Sequence, residues 1–498
     1  MATVHRAERS RKLFVSLAAV LMLGTMASVS ATPHTDLKSS TPADKARLAT
    51  IPKSLRLTFT EAPELALTHV KLLAAGSKAV ALGPLTVSEK DKATVTAAIN
   101  GSLVAGIYTV QWETAGEDGH PADGTFTFAV TPEAIAASRP PPGQVPVPAP
   151  AVLPQVVDTA RPPMDPSMIH HDTLSMPESA TRFDAESGGF VIVRFVLYTA
   201  LLIVIGAVAF RAVVLGLLGR RPDVDPIFLA DAARRAAAIG WVAGWLLLAA
   251  CLARLLAQSI ALNGFDGMLD SSRLGILMGT KWGRGWLAQL VATVAALYGF
   301  SIAKRRTAAA STIRVGWIVV GIAAVVLAFT PAFASHAAAS PRLRSLAMVF
   351  DGLHVTGAAG WVGSLVLVIA AGIPAALALR EERRGSAVAD LINAFSPTAL
   401  VFAGLVASTG LFAAWLHVGG FAALWQAKYG NLLLAKLTVL SVATLTGAYN
   451  WLRVKPTLGT IEAAARIRRS ATVELVVTVV VVLITAVLVA TPPPMAPM

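Results

Sequence analysis

From Phe190 to the carboxyl end the chain is dominated by apolar runs long enough to cross a bilayer, and no other feature narrows the fold as far. About twenty apolar residues span the hydrocarbon core as a helix, because in lipid each backbone N–H and C=O must be satisfied within the segment itself. The runs predict an all-α transmembrane bundle of about eight helices, near 190–217, 234–260, 283–303, 313–336, 346–377, 393–418, 430–452 and 470–491. Sixteen basic residues fall in the loops within 220–235, 304–314, 380–384 and 453–469, against six in the opposite loops (Arg273, Lys281, Arg284, Arg342, Arg344 and Lys428). The positive-inside rule therefore puts the amino-terminal side outside, in a multi-pass protein of a bacterial inner (plasma) membrane. The same clustering explains the formal charge of +13 without a nucleic-acid partner, since the basic residues punctuate apolar runs instead of lining one face.

Ahead of the bundle lie three different segments. Arg6, Arg9, Arg11 and Lys12, the apolar stretch 14–26 and the small residues up to Ala31 read as a signal peptide over 1–31, with an uncleaved signal anchor as the competing reading. Over 32–130 the period changes to two: Leu55, Leu57 and Phe59 alternate, as do Tyr108, Val110 and Trp112, and Phe126, Phe128 and Val130. Such runs, broken by Gly, Pro and Asp, predict an all-β Greek-key sandwich of about seven strands, outside the cytoplasm. Residues 131–188 are proline-rich and predict an extended tether ahead of a membrane domain over 189–498. Met164, Met168, His170, His171 and Met176 cluster there as soft and borderline metal ligands that can pass an ion along; biased linker composition is the other reading.

Cys251 is the single cysteine and sits inside an apolar run, where it reads as a packing residue. Disulfide frameworks, zinc knuckles and CxxC redox motifs are excluded, so any metal must be held by His, Met, Asp or Glu. Asp118 and His120 flank Gly119, which lets one carboxylate and one imidazole turn toward a common point. An N,O set suits Cu(II), and a second imidazole would complete it.

The segment His34 to Ala43, Phe59-Thr60-Glu61, and Asp118-Gly119-His120-Pro121 together resemble the CopC copper-resistance proteins, in the family's order and across nearly all of 34–130. The resemblance implies His34 as the second imidazole. In the family that histidine opens the mature chain and also offers its α-amine, whereas Thr32 and Pro33 precede His34 here, and a proline has no amide hydrogen to lose to a terminal chelate. The ligand set expected is therefore His34, Asp118 and His120. Residues 32–130 contain no methionine, which implies a Cu(II) site without the methionine-rich Cu(I) site of some relatives. His69, between Leu67 and Val70, reads as a surface residue.

In the bundle, Met348, Asp351 and His354 are three apart and share a helical face, and an ionisable pair in a membrane is costly unless it faces the interior. With His336 and His417, which also lie toward the outer face, they form the candidate membrane copper site, for which Cu(I) is an alternative cargo; interfacial and packing histidines are the bland reading. Gly357, Gly360 and Gly363 read as close-packing positions beside His354. Arg194, Arg254 and Lys436 lie near helix ends and are expected to snorkel outward.

Ser335-His336, Asp351, His354 and Trp361-Val362-Gly363, with the segments Thr280 to Trp286 and Tyr429 to Lys436 and then Asn450, resemble the CopD copper-resistance membrane proteins over about 190–495. A CopC domain ahead of a CopD domain implies a non-enzymatic copper-handling protein. It would bind Cu(II) outside and pass copper toward or across the inner membrane, with copper ions, the bilayer and periplasmic copper carriers as partners. Two rival classes fit the same residues: a haem-type membrane redox protein reducing copper or a quinone, and a non-transporting sensor or scaffold. No GxxxxGK[ST] loop is present, which argues against ATP-driven pumping.

Overall fold

The structure, a computed structural model, describes residues 36–116, 121–137, 187–334, 343–418, 422–449 and 461–491. The amino-terminal domain is a sandwich of β1 (Leu37–Thr41), β2 (Ala46–Leu48), β3 (Ser54–Phe59), β4 (His69–Ala74), β5 (Lys78–Val80), β6 (Thr86–Val87), β7 (Thr94–Ala98), β8 (Gly106–Ala115) and β9 (Pro121–Val130). One sheet runs β1-β3-β7-β6 and the other β2-β9-β8-β4-β5. Nine strands stand where about seven were expected. The short β2, β5 and β6 are below the length at which alternation can be read, and β2 pairs with β9 in parallel.

The expected period-two positions form the core between the sheets. Leu55, Leu57, Phe59, Tyr108, Val110, Trp112, Phe126, Phe128 and Val130 are all buried in one cluster. Trp112 lies opposite Gly124 across the β8–β9 ladder, and a Cβ on Gly124 would strike the indole. The missing side chain makes room for the ring, whose edge meets Phe59 at a centroid distance of 5.3 Å. His69 is exposed at the start of β4, as its spacing implied.

After a short helix α1 (Pro132–Ala137), the membrane domain contains α2 (Gly188–Leu218), α3 (Pro226–Gly267), α4 (Ser271–Gly279), α5 (Lys281–Ala303), α6 (Ala310–Phe329), α7 (Arg344–Leu377), α8 (Glu381–Val418), α9 (Ala423–Gln426), α10 (Lys428–Tyr449) and α11 (Ile461–Leu488). Among the described residues, α2, α3, α5, α6, α7, α8 and α10 are long and apolar enough to cross a membrane, and α11 carries the shorter apolar stretch Val476–Leu488. Three starts, those of α3, α8 and α11, lie well before the positions that hydropathy alone suggested. Asp225 caps α3 by accepting from the Ile227 amide with Pro226 in the first turn, and α8 begins with the acidic pair Glu381 and Glu382 and runs through Pro397. The short α4 was not foreseen; Asp270 caps it by accepting from the Arg273 amide.

Small residues let the spans touch. A Cβ on Gly206 of α2 or on Gly363 of α7 would run into the other helix's backbone, so the crossing requires glycine on both sides. Cys251 is fully buried, and its carbonyl accepts from Trp286 Nε1 at 2.8 Å, a packing role as expected. At the basic end of the bundle Arg221 bonds Asp390 at 2.8 Å and Arg383 bonds Asp225 at 3.2 Å, tying the α2–α3 loop to α8.

Candidate functional site

His354 sits in the third turn of α7, half-buried against α8. Its Nδ1 lies 2.9 Å from Thr409 Oγ1, and the Thr409 hydroxyl donates to the Leu405 carbonyl at 2.6 Å. The ring nitrogen and the hydroxyl are within hydrogen-bond distance, and which of them donates follows the tautomer of the imidazole. With the hydrogen on Nδ1, Nε2 would present its lone pair, the arrangement in which an outer partner prepares a histidine to ligate a metal. Gly410, next to Thr409, leaves space for the ring, since a Cβ there would stand 3.3 Å from His354 Cε1.

Asp351 is one turn earlier on the same ridge of α7. The polar locus of this α7–α8 contact thus comprises His354 and Thr409, with Asp351 one turn away. Lys436 is half-buried on α10. Arg194 departs from the expectation of an outward side chain: only 6 % exposed, it stacks its guanidinium 4.1 Å over the Phe190 ring. Arg254 donates to Gln289 Oε1 at 3.1 Å and lies 5.3 Å over Trp282. Aromatic faces and a buried amide hold these cations within the bundle, partners that no hydropathy pattern reveals.

The remaining membrane candidates divide. Met348 packs against Ala347, Leu416, Phe412 and Trp415 in a small apolar cluster. His417 lies in the last turn of α8, with its side chain outside the described residues, and His336 lies outside them altogether, two positions beyond Ala334. Among the described residues no three His, Cys, Asp or Glu side chains gather as a metal site. His354 and Asp351 are one imidazole and one carboxylate three residues apart on α7, short of a three-residue cluster among the described residues.

In the sandwich, His34, Asp118 and His120 fall outside the described residues, as do Met164, Met168, His170 and His171 of the tether. Their neighbours are informative. The Asp36 amide donates to Thr60 Oγ1 at 3.0 Å, and the Thr60 amide donates to the Asp36 carbonyl at 2.9 Å. Three residues on, Pro63 forms a bridge with Gly116, and the Glu64 amide donates to the Ala115 carbonyl at 2.8 Å. Asp36, at the start of the described chain, and Ala115 and Gly116, at the end of β8, are thus both anchored to the segment from Thr60 to Glu64, at one end of the sandwich. Glu61, half-buried between the anchors, adds a carboxylate there that sequence reasoning quoted in a motif but gave no role.

Family comparisons follow this division of the chain. Residues 37–131 match the CopC domain, 184–346 the copper resistance protein D-like N-terminal domain, and 389–488 copper resistance protein D. The chain is a CopC domain followed by a CopD-type membrane domain. Protein YobA of Escherichia coli K12 is 27% identical over 124 residues, 25% of this chain and 98% of YobA. Copper transport protein CutJ of Bacillus subtilis is 22% identical over 471 residues, covering 93% of this chain and 75% of CutJ. Among solved structures, PcoC, a methionine-rich copper resistance protein of Escherichia coli, is similar at 28% identity over 20% of this chain and 99% of PcoC, with a TM-score of 0.19. CopC and CopD-type parts occur here in the order expected from the motifs, with the proline-rich segment between them.

Proposed function

We propose that this CopC–CopD protein captures Cu(II) outside the cytoplasm at His34, Asp118 and His120 and passes copper to the membrane domain at His354 and Asp351, for transfer toward or across the inner membrane. The observation that supports this reading is that Asp36, two residues after His34, and Ala115 and Gly116, ahead of Asp118, both pair with Thr60–Glu64 in a CopC domain. Two imidazoles and a carboxylate make an N,O set suited to Cu(II). The CutJ relative, named as a copper transport protein and matching 93% of this chain, supports transport over mere sequestration. The excess of basic residues on the loops opposite the sandwich supports its placement outside. Met348 lies one turn before Asp351 and is the soft donor nearest the locus in sequence; His336 and His417 remain its candidate further ligands.

Cu(II) titration of the purified full chain, followed by its visible and paramagnetic spectra, tests the capture step. His120→Ala should weaken binding by well over tenfold, because even outer partners of metal ligands are worth ~10–100-fold. Unchanged affinity would refute the site.

A further inference from the structure

Among the described residues the sandwich approaches the bundle beside α4. The 3₁₀ turn Leu65–Leu67 comes within 8 Å, Cα to Cα, of α4. This turn immediately follows the Pro63–Gly116 bridge, and Thr68 just beyond it bonds Thr114 of β8, Oγ1 to Oγ1, at 2.7 Å. It therefore belongs to the same end of the sandwich as the β8–β9 connection that carries Asp118 and His120.

Both sides of the approach carry apolar side chains at exposed positions. Leu65 is 38% exposed on the turn and Ile276 40% exposed on α4. Phe265 and Leu269, where α3 breaks at the positive φ of Gly264 and turns into α4, are also exposed. On the bundle side, α4 leads through Thr280 into α5. Gly285 in the first turns of α5 sits against Phe333, in the 3₁₀ turn Thr330–Ala334 that precedes His336. The start of α7, with Asp351 and His354 beyond it, lies at this same end of the bundle.

We infer that the sandwich docks on the membrane domain through the Leu65–Leu67 turn against α4, so that its ligand-bearing end faces the corner formed by α5, the Thr330–Ala334 turn and α7. The docking face is intramolecular, the partner being α4 of the same chain, and the delivery it implies rests on the function proposed above. A short apolar contact between domains joined by a long tether has the character of a transient interface, suited to repeated loading and unloading.

Cross-linking in the full chain tests it. In a Cys251→Ser background, Leu65→Cys paired with Ile276→Cys should join through a short bis-maleimide in copper-free membranes. The reaction should run several-fold faster than for Lys78→Cys with Ile276→Cys, since Lys78 lies beyond the far end of β4. Equal rates for the two pairs would overturn the docking and leave the apolar residues of α4 as lipid anchors. Leu65→Asp should slow joining of the neighbouring pair, Glu64→Cys with Ile276→Cys, without altering Cu(II) affinity. His120→Ala should lower Cu(II) affinity without altering joining, so failure of the docking and failure of the copper site are read separately.

Discussion

His354 Nδ1 and Thr409 Oγ1, on neighbouring membrane helices, lie 2.9 Å apart, and Thr409 Oγ1 also lies 2.6 Å from the Leu405 carbonyl. A hydroxyl on α8 thus holds one edge of an imidazole on α7.

Thr409→Val keeps the shape and removes the hydroxyl. Copper uptake into cells carrying this variant should fall by roughly tenfold, the lower range for loss of an outer partner to a metal ligand. His354→Ala should abolish uptake above background. Uptake equal to wild type in the valine variant would separate Thr409 from the transport step.

Gly410→Ala probes the same ring from its other side. A Cβ 3.3 Å from His354 Cε1 is tighter than ordinary contact, so the imidazole must shift by a few tenths of an ångström. Overpacking of this kind costs about 1–3 kcal/mol. Thermal unfolding of the detergent-solubilised protein should show a lowered midpoint, and copper uptake should drop with it.

In the sandwich, Gly124→Val should disrupt the Trp112 pocket, because any Cβ at 124 meets the indole. Near-ultraviolet circular dichroism and tryptophan emission of the full chain should lose the signature of a buried Trp112, with a stability loss of ~1–3 kcal/mol or more.

His69→Ala serves as the internal contrast to His120→Ala. His69 is exposed at the start of β4, paired in register with Glu113, and is not one of the proposed ligands. Its removal should leave Cu(II) affinity within about twofold of wild type by titration. Surface substitutions of this kind change stability by no more than about 0.5 kcal/mol.

The parts of this architecture readable from the chain are those written in a period. Leu55, Leu57 and Phe59 announce a half-buried strand because alternate side chains leave opposite faces of the backbone. The spans announce themselves because lipid leaves a helix few alternatives. Capping was equally legible but was outweighed by hydropathy: Asp225 with Pro226 marks the start of α3, and Asp270 marks α4. The membrane locus was half legible. Asp351 and His354 share a ridge by spacing alone, whereas Thr409 joins His354 only through the packing of α8 on α7, and the stacking of Arg194 on Phe190 is a contact that hydropathy does not reveal. Of the soluble site, Asp118 and His120 were suggested by their spacing, while their common end with the chain from His34 depends on the Thr60 and Pro63 pairings.

Beyond His354, α7 widens into two π-helical turns, Ala359–Gly363 and Val368–Gly372. Each such turn accommodates one residue more than an α-helix would, and a residue of α-helix amounts to about 100° of rotation. Deleting a single residue from Ala359–Gly363 would relax that turn to α and swing the preceding segment around its axis, carrying His354 away from Thr409 while Gly363 stayed on Gly206. The aim of the imidazole is thereby stored as a count of residues along the helix, and a one-codon deletion can silence the site without altering any ligand.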